Sequence, residues 1–251
     1  IGFETGMFAG STASLTVLGA PDIIVLTLTE FAAQCRRICR ASNLPIIVDA
    51  DHGYGNAMNV KRTVEEIDNA GIAALTIEDT VLPQSYGSTG AELIPIEEGV
   101  GKMKAALAGR DDPGLVIAGR TSATMIASVD EAIARVKAYE ATGVDMLMLV
   151  GVKTRAELEA IAAEVSLPIM LGGLTPELND KAYLAEQGVR IALQGHQPIM
   201  AAVQAIHDTL RALRDGVQPK DLVGVASAEL MQKATHGTDY KRWQKDFLDI
   251  N

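Results

Sequence analysis

Short runs of apolar, mostly β-branched residues alternate along this chain with longer amphipathic stretches. The runs are too short for helices and predict buried parallel strands, whereas apolar positions three and four residues apart predict helices. The predicted strands are residues 5–9, 23–26, 46–48, 73–77, 115–118, 146–150, 169–171 and 189–193. The main predicted helices are residues 30–41, 59–70, 96–107, 128–141, 183–187 and 198–214, with a further helix starting at the capping box of Thr154 and Glu157.

Eight strand–helix units follow one another without a linker, which predicts an α/β fold of one (β/α)₈ barrel. We expect one domain over residues 1–251, with residues 216–251 as a C-terminal helical extension. A doubly wound open sheet is the alternative, and it is disfavoured because the first turn carries no G-x-G-x-x-G fingerprint. The chain starts at Ile1 in mid-element, so an N-terminal segment is expected to be missing.

Composition narrows the classes of partner. The net charge is −10 and no basic stripe is present, which argues against nucleic acid. No apolar stretch reaches membrane-spanning length and no secretory signal is visible, so no membrane partner is expected. Cys35 and Cys39 lie four residues apart on one helical face, which suits free thiols in a reducing cytoplasm.

The segment from Pro45 to Gly55 carries the chemistry around which the other motifs are arranged. Asp49 and Asp51 follow the predicted strand 46–48, and strand geometry points residues two apart the same way. Two neighbouring carboxylates repel each other unless they share a proton or hold a hard divalent cation. A pair of capping acids in a strand-to-helix loop is the other interpretation of this segment.

Further polar residues follow the other predicted strands, where the loops of a barrel converge on one mouth. They are Gly10, Ser11 and Thr12, then Glu78, Arg120 and, after the eighth strand, His196. Arg120 could instead pair with Glu78 structurally, and His196 could cap a helix. Acids with few histidines suit Mg²⁺ or Mn²⁺, which could activate a 2-oxo acid and stabilise its enolate, with Arg120 neutralising the carboxylate. A Schiff base on Lys153 is a rival mechanism, but Lys153 lies beside a helix cap and is expected to face solvent.

The motifs D-x-D-x-G-Y-G at residues 49–55, I-E-D at 77–79, G-R-T at 119–121 and P-D at 21–22 resemble the isocitrate lyase/phosphoenolpyruvate mutase superfamily. The resemblance implies a (β/α)₈ barrel in which Asp49 ligates Mg²⁺ directly while Asp51 and Glu78 act through water. It also implies that Gly10-Ser11-Thr12 and Arg120 hold the substrate carboxylate. The last helix would be exchanged between the subunits of a homotetramer.

The loop after the I-E-D motif distinguishes branches of that superfamily. Its lyases carry K-[KR]-C-G-H there and its phosphonomutases K-x-N-S, whereas residues 82–90 of this chain have no cysteine, lysine or histidine. The chain is most similar to the oxaloacetate decarboxylase branch, in which Gly195-His196 would contact substrate. Gly172-Gly173-Leu174 stands where that branch has a tyrosine, which predicts a roomier pocket.

Three functions follow from these motifs. The first is Mg²⁺-dependent decarboxylation of oxaloacetate, or of a close 2-oxo diacid, to pyruvate and CO₂, with Asp49, Arg120 and His196 as the catalytic residues. The second is a C–C or C–P lyase or hydrolase acting on 2-alkylmalates or phosphonopyruvate. The third is a catalytically silent barrel that serves as a binding module.

Overall fold

The apolar runs form one parallel sheet in the computed structural model, which describes residues 1–249. Seven strands lie in chain order and each is parallel to the next, which is the curled, TIM-like arrangement of a (β/α) fold. They are β1 (Gly6–Phe8), β2 (Ile46–Asp49), β3 (Ala74–Glu78), β4 (Val116–Thr121), β5 (Met146–Leu149), β6 (Ile169–Leu171) and β7 (Val189–Ala192).

Helices connect the strands and continue beyond the last one. They are α1 (Gly10–Ala13), α2 (Leu28–Ala41), α3 (Ala57–Asp68), α4 (Ile96–Gly109), α5 (Ala123–Ile126), α6 (Val129–Glu140), α7 (Arg155–Ala162), α8 (Lys181–Glu186), α9 (Gln197–Arg214), α10 (Ala228–Ala234) and α11 (Gly237–Leu248). A π-helical segment, Ser14–Leu18, follows α1, and short 3₁₀ segments cover Pro176–Leu178 and Pro219–Asp221.

Seven of the eight predicted strands are confirmed, each within three residues at either end, and the strand predicted at residues 23–26 is wrong. Ile24 there has φ +61°, a left-handed conformation that a β-branched residue rarely adopts and that ends an extended run. The segment instead leads into the capping box of Thr27 and Glu30 at the start of α2. The capping box predicted at Thr154 is present at the start of α7.

The chain forms two compact units, residues 1–195 and 196–251. In the first unit the outward strand residues, such as Val48 and Leu75, pack with the helices into a large apolar core. Residues on the opposite strand faces form a smaller core: Ile47, Ala74, Ala118, Met148 and Met170. Successive side chains of a strand point to opposite faces of the sheet, so every second residue points into this inner layer.

The second unit contains α9, α10 and α11, and none of the described residues in these helices is buried. Tyr240, Trp243 and Phe247 on α11 remain 59%, 39% and 76% exposed, and Tyr240 meets Trp243 edge to face at 5.2 Å. Among the helices of residues 1–249, none is long and apolar enough to cross a membrane.

Candidate active site

Three predicted site residues occupy the inner face of the sheet at its carboxyl end. Asp49, Glu78 and Arg120 lie two residues after Ile47, Thr76 and Ala118 and so share their strand face, which continues the inner layer beyond its apolar part. The strand register sets Asp49 opposite Thr76 and Glu78 opposite Arg120. The pairing of neighbouring strands thus brings together residues that are up to 71 positions apart in the chain.

Arg120 joins the two acids. Its guanidinium forms ion pairs with Asp49 and, over 3.0 Å, with Glu78. Burial opposes the charge on Arg120, but Asp49 and Glu78 outweigh it and raise its pKa. The Nε atom of Arg120 is buried without a hydrogen-bond partner in the described part of the chain, so one donor is left for a ligand.

Hydroxyl groups hold the same carboxylates in place. Thr76 donates to Asp49 Oδ1 over 3.1 Å, and Thr80 donates to Glu78 Oε2 over 3.1 Å. Burial raises the pKa of Glu78, although Arg120 works against that rise. Each acid is therefore oriented by one hydroxyl and one cation before any ligand arrives.

Asp51 is placed by an unusual turn directly after β2. It adopts φ +49°, and its carbonyl accepts the backbone N–H of Glu78 over 2.9 Å. A Cβ atom on Gly10 would lie 2.9 Å from Asp51 Oδ1, so the absence of a side chain there lets the carboxylate approach α1. Burial, then the charges of Asp49, Asp22 and Glu78, raises the pKa of Asp51 to about 8.

These side chains surround a cavity of about 240 Å³ within the first unit. Its lining residues are Asp22, Ile24, Asp49, Asp51, Glu78, Thr80, Leu82, Ala91, Arg120, Ser122, Met125 and Ile126. Four carboxylates thus face one arginine, and this excess of negative charge in a partly buried space favours a bound cation.

The donor set fits Mg²⁺ held largely through water. Within residues 1–249 no group of three or more histidine, cysteine, aspartate or glutamate side chains is close enough to ligate one ion together. Mg²⁺ usually keeps several waters and takes only one or two carboxylates from a protein, and the direct ligation predicted for Asp49 stays a prediction. An all-oxygen set of this kind suits Mg²⁺ or Mn²⁺ better than zinc.

Other predicted site residues lie elsewhere. Ser11 and Thr12 fall within α1 and do not line the cavity, although Gly10 reaches Asp51. His196 is exposed and belongs to the second unit, so its predicted contact with substrate stays a prediction. Lys153 is exposed, as predicted, and does not line the cavity.

Sequence reasoning leaves out some residues that line the cavity, and also Thr76, which donates to Asp49 without lining it. The sequence identifies Asp22 only as part of the P-D motif at residues 21–22, because the residues after it are predicted as the strand 23–26. Thr76, Thr80 and Ser122 were missed, since a lone hydroxyl near a strand end carries no distinctive pattern. The two-residue alternation from Glu78 would have found both Thr76 and Thr80.

Two curated relatives of this chain are both named oxaloacetate decarboxylase. An oxaloacetate decarboxylase of Bradyrhizobium diazoefficiens is 61% identical over 248 residues, which cover 99% of this chain and 86% of the relative. A second oxaloacetate decarboxylase, of Bradyrhizobium sp. (strain ORS 278), is 59% identical over 250 residues, covering 100% of this chain and 87% of the relative. The branch predicted from the loop after β3 is therefore confirmed.

Solved structures with the same fold confirm the architecture, and they include enzymes that catalyse other reactions. A 2,3-dimethylmalate lyase superposes with a TM-score of 0.84 at 25% identity, covering 98% of this chain and 86% of that one. A phosphonopyruvate hydrolase in complex with oxalate and Mg²⁺ gives 0.81 at 28% identity, covering 97% and 87%. The profile of the family described as phosphoenolpyruvate phosphomutase matches residues 2–214. With its strand-end acids, its arginine and these likenesses, the chain belongs to the phosphoenolpyruvate phosphomutase family, within the isocitrate lyase/phosphoenolpyruvate mutase superfamily.

Proposed function

We propose that this chain is a carboxy-lyase that decarboxylates oxaloacetate, or a close 2-oxo diacid, to pyruvate and CO₂. The observation that carries the proposal is the cavity in which Asp22, Asp49, Asp51 and Glu78 surround Arg120. The names of the curated relatives support the same reaction.

The acids would hold Mg²⁺, with Asp49 as the direct ligand and Asp51 and Glu78 acting through water. A bound divalent cation supplies Lewis-acid stabilisation of the negative charge that develops on a 2-oxo acid as CO₂ leaves. The Mg²⁺ and oxalate in the phosphonopyruvate hydrolase structure support this assignment. Mn²⁺ has the same preference for oxygen ligands and is expected to substitute.

Arg120 would bind the substrate carboxylate. Its Nε–H has no partner in the described residues, while its terminal nitrogens are held by Asp49 and Glu78. The guanidinium is therefore fixed in orientation with a donor still available. Gly10, Ser11 and Thr12 would complete the carboxylate site, and His196 is proposed as a further substrate contact.

The lining residues favour decarboxylation over the carbon–carbon cleavage of a 2-alkylmalate. Among the described residues around the cavity there is no lysine, cysteine or histidine to protonate a departing carbanion. Loss of CO₂ needs no such acid at the bond-breaking step, because the proton is required only after CO₂ has left.

The remaining proposals concern the assembly and its location. We propose a cytoplasmic homotetramer in which the last helix is exchanged between subunits. The exposed Tyr240, Trp243 and Phe247 support a partner for α11, since aromatic side chains are enriched in interfaces. Light scattering of the full chain and of a Trp243→Ser variant tests the proposed tetramer. A monomeric wild-type protein would contradict it.

The test of function follows oxaloacetate loss and pyruvate formation with Mg²⁺, with EDTA, and with Asp49→Ala, against Mg²⁺ without enzyme. We expect saturable turnover that EDTA reduces to the metal-free background rate and that Asp49→Ala reduces to the rate of free Mg²⁺. Asp112→Ala, an exposed acid outside the cavity, is the matched control and should retain full activity. Turnover of a 2-alkylmalate or of phosphonopyruvate, with none of oxaloacetate, would contradict the proposal.

A further inference from the structure

A second cavity, of about 340 Å³, lies beside the first. Its lining residues are His52, Gly55, Asn56, Thr80, Val81, Leu82, Leu93, Ile94, Pro95, Glu98 and Lys102. Thr80 and Leu82 line both cavities, and neither Asp49 nor Arg120 lines the second. The proposed decarboxylation does not use this second cavity.

Lys102 brings a buried positive charge to the second cavity. Its residue is 2% exposed, and Nζ donates to the carbonyl oxygen of His52 over 2.9 Å. In the described part of the chain its ammonium forms no ion pair within 4.0 Å. Burial lowers the pKa of Lys102, and the charges of Glu98, Glu78 and Asp79 offset that only in part, so an anionic occupant in contact with Nζ would stabilise the charged ammonium.

His52 adds an unused polar atom to the same wall. The residue is 4% exposed, and within residues 1–249 its Nδ1 atom has no hydrogen-bond partner. Buried ring nitrogens are normally paired, so an unpaired one that lines a cavity points to a ligand or to ordered water. Its backbone carbonyl already holds Lys102, so the two polar groups are tied together.

The remaining walls are mostly apolar and limit the charge of the occupant. Val81, Leu82, Leu93, Ile94 and Pro95 surround the space away from the polar groups. Glu98, an exposed residue, also lines it and would repel a second negative charge. The cavity therefore combines the ammonium of Lys102, the unpaired ring nitrogen of His52 and an aliphatic surface, with the Glu98 carboxylate also in its wall.

We propose that this second cavity binds a short aliphatic monocarboxylate, with the carboxylate at Lys102 and His52 and the alkyl chain against Val81, Leu93 and Ile94. The occupant would lie beside Thr80, whose hydroxyl holds Glu78 in the neighbouring cavity. This proposal goes beyond the decarboxylase function and stands whether or not that function is correct.

Calorimetric titration of the full chain with butyrate in EDTA tests the proposal, with n-butanol as the neutral probe of similar size. We expect butyrate to bind to one site and n-butanol to bind at least about tenfold more weakly, since the charge-assisted contact is lost. Lys102→Met should weaken butyrate binding by a similar factor. Lys104→Met, which removes an exposed lysine from the same helix, should leave it unchanged.

Two further variants keep the proposal falsifiable. His52→Phe should also weaken butyrate binding, which covers the case in which Lys102→Met does not fold. Asp49→Ala alters the first cavity and should retain the binding. Unchanged affinity in both Lys102→Met and His52→Phe, equal binding of n-butanol, or loss of binding in Asp49→Ala would overturn the proposal.

Discussion

Arg120 shows how one side chain couples two strands of the site. It reaches Asp49 on β2 and Glu78 on β3 at once, which requires the planar, forked guanidinium. A lysine ammonium at the same place is a single charged point and cannot keep both contacts in the same geometry. The identity of this cation therefore decides how both acids are oriented.

We expect Arg120→Lys to lower kcat/KM for oxaloacetate by about a hundredfold, a typical cost of losing one oriented electrostatic contact to reacting charge. Steady-state kinetics with Mg²⁺ measure it. Arg62→Lys, in an exposed pair with Glu66 on α3, is the matched control and should behave as wild type. Equal kinetics for both variants would remove Arg120 from the substrate site.

The burial of His52 makes the free energy of unfolding depend on pH. Burial, with Lys102 adding to it, lowers the pKa of His52 from 6.5 to about 4. Between those values the unfolded chain binds a proton that the folded chain does not, so the free energy of unfolding falls as pH is lowered. The contribution approaches about 1.4 kcal/mol for each pH unit within that window.

Urea unfolding between pH 4 and 6.5 should therefore show a shallower pH slope for His52→Gln than for wild type. His207→Gln is the control, because the His207 side chain is 56% exposed on α9. Together with Gln204, His207 lowers the pKa of Asp208, so this control shows how the slope responds when a surface histidine and its carboxylate partner change, and a larger loss of slope in His52→Gln belongs to the buried histidine. The same slope in wild type and His52→Gln would contradict the prediction.

At the scale of elements, the turn between β2 and α3 determines where Asp51 points. Asp51, Gly53, Tyr54 and Gly55 all have positive φ, so the chain reverses within a few residues. A Cβ on Gly53 would lie 2.3 Å from the side chain of Val60 in α3. Only glycine at this position allows α3 to start so close to the acids that line the cavity.

Gly53→Ala should lower the free energy of unfolding by about 1–2 kcal/mol from the left-handed backbone, plus about 1–3 kcal/mol from the contact with Val60. Gly87→Ala is the matched control, because Gly87 has φ +79° and a Cβ there meets nothing within 4 Å. Urea unfolding of both variants measures the difference. Equal losses would show that α3 shifts freely.

Among the elements, most helices and strands could be predicted because each depends on a local pattern. Helix caps and apolar periodicity depend on residues that are close in the chain. The capping box of Thr154, for example, is present in the structure. The exception is the run 23–26, where β-branched composition favoured a strand and Ile24 adopted a left-handed conformation. Local propensity gave way there to a turn that leads into the capping box of α2.

At the scale of the molecule, a buried ion pair connects α6 to the end of β3. Arg135 donates to Asp79 over 3.0 Å, and Tyr139 donates to the same oxygen over 2.7 Å. The side chains of Arg135 and Asp79 are 5% and 0% exposed. Asp79 follows Glu78 directly, so this network anchors the strand end that carries a site acid.

Arg135→Met should lower the free energy of unfolding by about 3–5 kcal/mol, because it leaves the Asp79 carboxylate buried without its cation. Arg62→Met breaks an exposed ion pair and should cost about 0.5 kcal/mol or less. Denaturant unfolding of the two variants measures the contrast. A small loss in Arg135→Met would mean that Tyr139 alone holds Asp79.

By itself the sequence determined the parallel strand–helix order, the helix caps and the acids at the strand ends, because each depends on neighbouring residues or on alternation along a strand. Only the tertiary structure decided that Arg120 reaches both Asp49 and Glu78, that Asp22 lines their cavity, and that Lys102 is buried beside His52. These pairings join residues on different elements, and strand register and helix packing, which no local pattern specifies, set their distances.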